Sequence, residues 1–119
     1  MAQPLVLVVE DEVLILLRAV SLLKEAGFGT LQAGSADEAI ALLEARKDIR
    51  VVFTDINLPG SMDGLRLAHA IRRRWPPIEL VLTSGYGQVR DQDMPERGHF
   101  LGKPYDAREL VETLRSLMR

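Results

Sequence analysis

Reactive side chains in this 119-residue chain fall repeatedly at the ends of short apolar runs. Glu10 and Asp11 follow Leu5-Val-Leu-Val-Val9, and Asp55 follows Arg50-Val-Val-Phe-Thr54. Thr83-Ser84 closes a run that starts at Ile78, and Lys103-Pro104 follows His99-Phe-Leu101. Brought to one edge of a sheet, these residues would set carboxylates, a hydroxyl and an ammonium facing one another. Each has a local reading as well. Asp11 suits a helix N-cap, Asp55 a cap on the turn into Asn57-Leu-Pro-Gly60, and Ser84 the turn at Gly85. Lys103 suits solvent, and Pro104 a helix start. Together they form an acid, acid, hydroxyl, lysine set, which separate local roles do not require. Other chemistries are excluded. Without cysteine there is no disulfide, no thiol nucleophile and no Cys-based zinc site. His69 and His99 lie far apart, with no ligand spacing.

The elements that would position this set alternate between two periods. The run Leu5–Val9 is β-branched and apolar throughout, as in a strand buried on both faces. A helix is expected over 12–26, ending at Gly27, then a weaker strand over Phe28–Ala33. Ser35 with Glu38 three residues on reads as a capping box. The helix it opens carries Ala36, Ala39, Ile40, Leu42 and Leu43. A third strand follows over Arg50–Thr54. A helix capped by Asp63 runs to about Arg74, and a strand covers Ile78–Thr83. A short strand over His99–Leu101 and a last helix over Asp106–Met118 complete the chain. This alternation predicts βαβ units and a parallel sheet with helices on both faces. In such sheets, sites form at the carboxyl ends of the strands.

Length and composition agree with one domain over residues 1–119. Lys plus Arg number 15 against 17 Asp plus Glu, a net charge of −2, which lacks the basic footprint of a dedicated nucleic-acid binder. Arg72-Arg-Arg-Trp75 is the one basic cluster, and cations at a helix C-terminus suit the dipole without any ligand. No apolar run approaches the ~20 residues needed to span a bilayer, and no signal peptide is visible. The expected location is the cytoplasm.

The whole chain resembles the receiver domain of two-component response regulators, which are CheY-like. The residues that carry the resemblance are Val-Val-Glu10-Asp11, Thr-Asp55-Ile-Asn57-Leu-Pro59, Met-Asp63-Gly64, Leu-Thr-Ser84-Gly85 and Phe100-Leu-Gly-Lys103-Pro104. The resemblance implies a flavodoxin-like (βα)5 doubly wound sheet of five parallel strands in the order 2-1-3-4-5. It implies a phospho-accepting switch rather than an enzyme in the ordinary sense, with self-catalysed phosphotransfer and dephosphorylation only. Asp55 matches the aspartate that takes a phosphoryl group from a histidine kinase or histidine phosphotransferase. Asp11, Asp55 and the main-chain carbonyl of Asn57 match the ligands of Mg²⁺, and Glu10 an acid acting through a metal-bound water. Lys103 and Ser84 match the cation and the hydroxyl that meet phosphoryl oxygens. A cis Lys103-Pro104 bond is implied. Phe100 falls where the family's switch aromatic sits, and it also suits a plain core position.

Three stretches depart from the family pattern. The Asp55–Gly64 loop looks one residue longer than usual. Gly85–Gly98, where a full helix normally sits, has few large apolar residues and is broken by Pro95. A short or irregular fourth helix, mobile in the unphosphorylated protein, is expected there, with Gly85-Tyr86-Gly87 as a hinge. The first helix has a core stripe of Ile15, Ala19, Leu22, Leu23 and Ala26, widened by Val13, Leu17 and Val20. The widening suits a docking surface for the helical bundle of a kinase or phosphotransferase, or contact with the last helix. The main rival function is a degenerate receiver that binds partners without phosphorylation. A metal-dependent aspartyl phosphatase would typically carry a second aspartate where Asn57 stands. A flavin carrier would want a phosphate-cradling loop where Glu10-Asp-Glu12 stands.

Overall fold

The computed structural model describes residues 4–85 and 89–118. Within them lies one parallel sheet of five strands: β1 (Leu5–Val9), β2 (Gly29–Ala33), β3 (Ile49–Asp55), β4 (Glu79–Ser84) and β5 (Gly98–Gly102). Four helices connect and follow them: α1 (Val13–Glu25), α2 (Ala36–Ala45), α3 (Gly64–Arg74) and α4 (Ala107–Leu117). The strand order is β2-β1-β3-β4-β5, as the resemblance implied.

Alternation along each strand divides the core. Leu7, Val9, Val52, Leu80 and Leu82 face α2 and α3. Val6, Val8, Val51, Phe53 and Val81 face α1 and α4. Both faces of the central strands are thus buried, which is why they read as continuous apolar runs.

Three of the helices start on side-chain caps. Ser35 Oγ accepts from Glu38 N at 3.2 Å, Asp63 from Arg66 N at 2.8 Å and Asp106 from Glu109 N at 2.7 Å. Glu38 returns its carboxylate to Gly34 N at 2.7 Å, one residue earlier than a capping box places it. The fourth helix start differs: Glu12 occupies the N-cap of α1 and makes no capping bond, so Asp11 does not serve as a cap.

The face of α1 needs correction. Its core residues are Leu16, Ala19, Val20 and Leu23. Val20, expected on the docking side, is only 4% exposed and packs in the sheet-facing cluster. The exposed apolar residues are Val13 (64%), Leu14 (82%) and Leu17 (48%). The helix is rotated by about one position from the expected phase, at ~100° per residue.

Between β4 and β5 the described helical structure is one 3₁₀ turn, Asp91–Asp93, in line with a short or irregular helix. Residues 86–88, which include most of the expected hinge, lie outside the described residues. Side chains of α3 hold this turn and the residues after it. His69 Nε2 donates to Asp93 O at 2.7 Å, and Arg72 Nε donates to Glu96 O at 2.8 Å. Arg72 Nη1 also donates to Pro76 O and Ile78 O, at 2.7 and 2.8 Å. Arg97, in the left-handed region at φ 57°, donates to Pro76 O at 2.7 Å. Arg72 is therefore a structural tie rather than a free cation. Arg74 pairs with Glu44 at 2.7 Å and lies 4.4 Å over the Trp75 ring. Arg46, Lys47, Arg50, Arg74 and Trp75 line a cavity of about 400 Å³ at the end of the sheet where β3 begins.

Candidate functional site

Sheet register brings the acids together. Val9 pairs with Thr54 and Asp55 pairs with Thr83, so Glu10, one residue past Val9, stands level with Asp55 and Thr83. By the two-residue alternation these three share the face that carries Val8, Phe53 and Val81. Glu10 and Asp55 are only 5% and 6% exposed. They form the floor of an open pocket of about 670 Å³, whose rim includes Asp11, Glu12, Asn57, Asp63 and Lys103.

Lys103 Nζ reaches into this floor. It donates to Asp55 Oδ2 at 2.5 Å and to Glu10 Oε1 at 3.2 Å. The Lys103-Pro104 peptide is cis, as the resemblance implied. Burial works against the lysine's charge, but the bond to Asp55 and the charges of Asp55 and Glu10 hold its pKa above the usual range. Burial pushes the Glu10 carboxyl up, and the nearby Asp55 charge adds to this. The Glu12 N–H, which donates to Glu10 Oε2 at 3.2 Å, and Lys103 oppose that rise.

The loop after β3 fixes Asp55 from its other side. Asn57 N donates to Asp55 Oδ1 at 2.8 Å, and Asn57 Nδ2 donates to Ser84 Oγ at 2.9 Å. One asparagine therefore ties the β3 carboxylate to the β4 hydroxyl. Gly64 N donates to Ile56 O at 2.8 Å. A Cβ at Gly64 would lie 1.8 Å from Asp55 O, so only glycine permits this close approach. Gly60, at φ +101°, turns this loop.

Glu10, Asp11, Asp55, Asn57, Ser84 and Lys103 thus converge at one sheet edge. Phe100 lies on the opposite face of the sheet from Asp55, half-buried against the α2–α3 core and beside Met94 and Pro95. Sequence reasoning did not single out the Asn57 amide or Tyr105. The Tyr105 ring packs edge-on against Phe53 at 5.6 Å, and burial raises its phenol pKa. Its place directly after Lys103-Pro104 was the available signal.

The response regulator receiver domain family model matches residues 6–115. The chain belongs to this family. The receiver is 36% identical over 110 residues to the nitrogen assimilation regulatory protein NtrX of Azorhizobium caulinodans, covering 89% of this chain and 24% of that protein. Among solved structures it resembles the receiver domain of NtrX from Brucella abortus, at 33% identity and TM-score 0.85, covering 95% of this chain and 97% of that one. It also resembles a response regulator receiver protein from Sinorhizobium medicae, at 27% identity and TM-score 0.91, covering 98% and 94%. The receiver spans about a quarter of the length of the curated NtrX relative. Among the described residues no helix is long and apolar enough to cross a membrane.

The donor chemistry suits a hard cation. Among the described residues no group of three His, Cys, Asp or Glu side chains stands ready to hold a metal alone. Mg²⁺ asks for less: one or two carboxylates, other oxygens and retained waters. Asp11 and Asp55 supply carboxylates on a pocket with room for water. Asp11 makes no hydrogen bond or ion pair among the described residues, which leaves its oxygens available.

Proposed function

We propose that this receiver is a Mg²⁺-dependent phospho-acceptor, taking a phosphoryl group onto Asp55 from a histidine kinase or histidine phosphotransferase. The observation that carries this reading is the buried Asp55 carboxylate held at the pocket floor against Lys103. In the transfer, an Asp55 carboxylate oxygen attacks phosphorus and the P–N bond to the donor imidazole breaks. The electron pair stays on that nitrogen, and the ring leaves neutral when its other nitrogen carries a proton. Two anions repel, so the approach needs positive charge. Lys103 supplies a point charge to a phosphoryl oxygen once its contact with Asp55 is exchanged. Asp11, Asp55 and the Asn57 carbonyl would hold Mg²⁺, with Glu10 reaching it through water. Bound there, the ion would supply positive charge against the repulsion between the two anions.

Ser84 is the signal's first reader: its hydroxyl turns from the Asn57 amide toward the phosphoryl group. Phe100 follows, and without a phenolic oxygen it reports by packing alone. The donor docks on Val13, Leu14 and Leu17, which start one residue after pocket-lining Glu12. Leu14 stands on this surface in place of Val20. The reaction belongs in the cytoplasm, where such donors act.

Mass spectrometry after treatment with acetyl phosphate and Mg²⁺ tests the assignment. The wild-type chain should gain one phosphoryl group and Asp55→Asn none. Labelling of Asp55→Asn moves the acceptor elsewhere, and an unlabelled wild type favours the degenerate receiver.

A further inference from the structure

Thr83 is 3% exposed, and its hydroxyl has no hydrogen-bond partner among the described residues. An unmet buried donor is destabilising, so a native interior seldom keeps one. Its position gives it a purpose. Thr83 is the register partner of Asp55 and shares the sheet face of Asp55 and Glu10. All three line a small, partly open cavity of about 10 Å³, walled by Phe53, Ile15 and Tyr105. That space sits at the lower bound of the roughly 10–15 Å³ that one water needs, and a buried water also needs two to four polar partners. They are present. Each Glu10 and Asp55 oxygen already accepts one bond, from Glu12 N, Asn57 N or Lys103 Nζ, and each can accept another.

We propose that Thr83, Asp55 and Glu10 hold one internal water beneath the pocket floor, making Thr83 a positioning residue for Asp55. The water accepts from the Thr83 hydroxyl and donates to the two carboxylates. It supports Asp55 from the Thr83 cavity, while Asn57 N and Lys103 Nζ bind its two oxygens. The water site stands on geometry alone. Its consequence for phosphoryl transfer rests on the reading of Asp55 as acceptor.

A dry cavity with an orphan hydroxyl makes the opposite prediction for Thr83→Val, which keeps the shape and removes the donor. There the variant loses only an unmet group and melts no lower than wild type. With the water in place, Thr83→Val lowers Tm by a few degrees, on the order of the shift expected for one lost buried contact. Water–protein NOE measurements at the Thr83 methyl should show a long-lived water in the wild-type chain. Thr83→Ser should keep that water, read in a crystal structure, and Thr83→Val should lose it. Phosphorylation by acetyl phosphate should slow on the order of tenfold in Thr83→Val and much less in Thr83→Ser. Absence of the water from the wild-type protein, or an unchanged or raised Tm in Thr83→Val, overturns the proposal. Labelling of Asp55→Asn would instead remove the acceptor reading and leave the water site standing.

Discussion

The segments that leave β3 and β4 differ in the side chains that hold them. The β3 exit, Asp55 to Gly64, is held mainly by its own backbone and by short side chains, its own and those of Asp37 and Ser84. Asn57 N binds Asp55, Gly64 N binds Ile56 O, and Asp63 caps the helix that follows. The β4 exit, over its described residues 89–97, has its own turn bonds and an Arg90–Asp93 ion pair, and in addition His69 and Arg72 of α3 tie it from outside. A loop that closes on itself stays in place wherever its residues fit. A loop tied by a neighbour's long side chains stays only while those side chains do. The difference ties the Asp55 carboxylate to its own loop and makes residues 89–97 depend on side chains of α3.

The hardest blow to the self-closed loop is Gly64→Ala. Its added Cβ would meet the Asp55 carbonyl, with backbone on both sides and no flexible side chain to yield. The expected cost is about 3 kcal/mol or more, read as a lowered urea midpoint, together with loss of phosphoryl acceptance. Near-wild-type stability would show that the β3 exit is softer than its contacts imply.

The tied loop should break more gently. Arg72→Met keeps the apolar stem and removes the donors to Glu96, Pro76 and Ile78. Charged hydrogen bonds are worth about 1.5–3 kcal/mol when well buried, and this guanidinium is only partly so, which puts the loss at about 1–2 kcal/mol. Amide exchange should speed up over residues 89–97 and stay unchanged over 56–63. Equal acceleration in both segments would erase the contrast.

The smallest effect separates the regions by pH. Glu10 has a raised folded pKa, so its ionised form costs stability. That penalty is absent well below the ordinary carboxylate value of 4.5, grows as pH rises through it, and is complete above the raised folded value. Glu10→Gln should therefore raise Tm at pH 7, and its advantage should fade toward pH 3. Lys103 runs the other way: its contribution is full below 10.5 and is lost as pH climbs through its raised folded pKa. A Glu10→Gln advantage that is constant from pH 3 to pH 7 would mean burial is not what raises the Glu10 carboxyl.

Much of this was legible from residue types. The central strands announce themselves because burial on both faces demands unbroken apolar runs, and the polar residues ending them are the site. The failures share a cause, since each depended on tertiary geometry. Val20 and Leu14 exchange roles because a helix with apolar residues on several sides does not reveal its phase. Arg72 read as a dipole partner because its sequence shows a charge and conceals the carbonyls it reaches. Thr83 drew attention only as the neighbour of Ser84. Its unmet hydroxyl exists only once β3 and β4 are in register.

The two charged ends of the sheet make the molecule an electric dipole that its net charge of −2 conceals. Glu10, Asp11, Glu12, Asp55 and Asp63 gather around the single cation Lys103 at one pole, and Arg46, Lys47, Arg50 and Arg74, two of them paired with Asp48 and Glu44, at the other. The molecule is 35 Å along its longest axis, whereas fields are screened over about 10 Å at 0.1 M salt. A partner arriving at the acidic pole in such a solution feels that pole alone. At about 0.01 M the screening length grows to roughly 30 Å, comparable with the whole molecule, and the far pole then turns the receiver as the partner approaches. Encounter with an anionic phosphodonor should therefore depend on ionic strength more steeply than so small a net charge suggests.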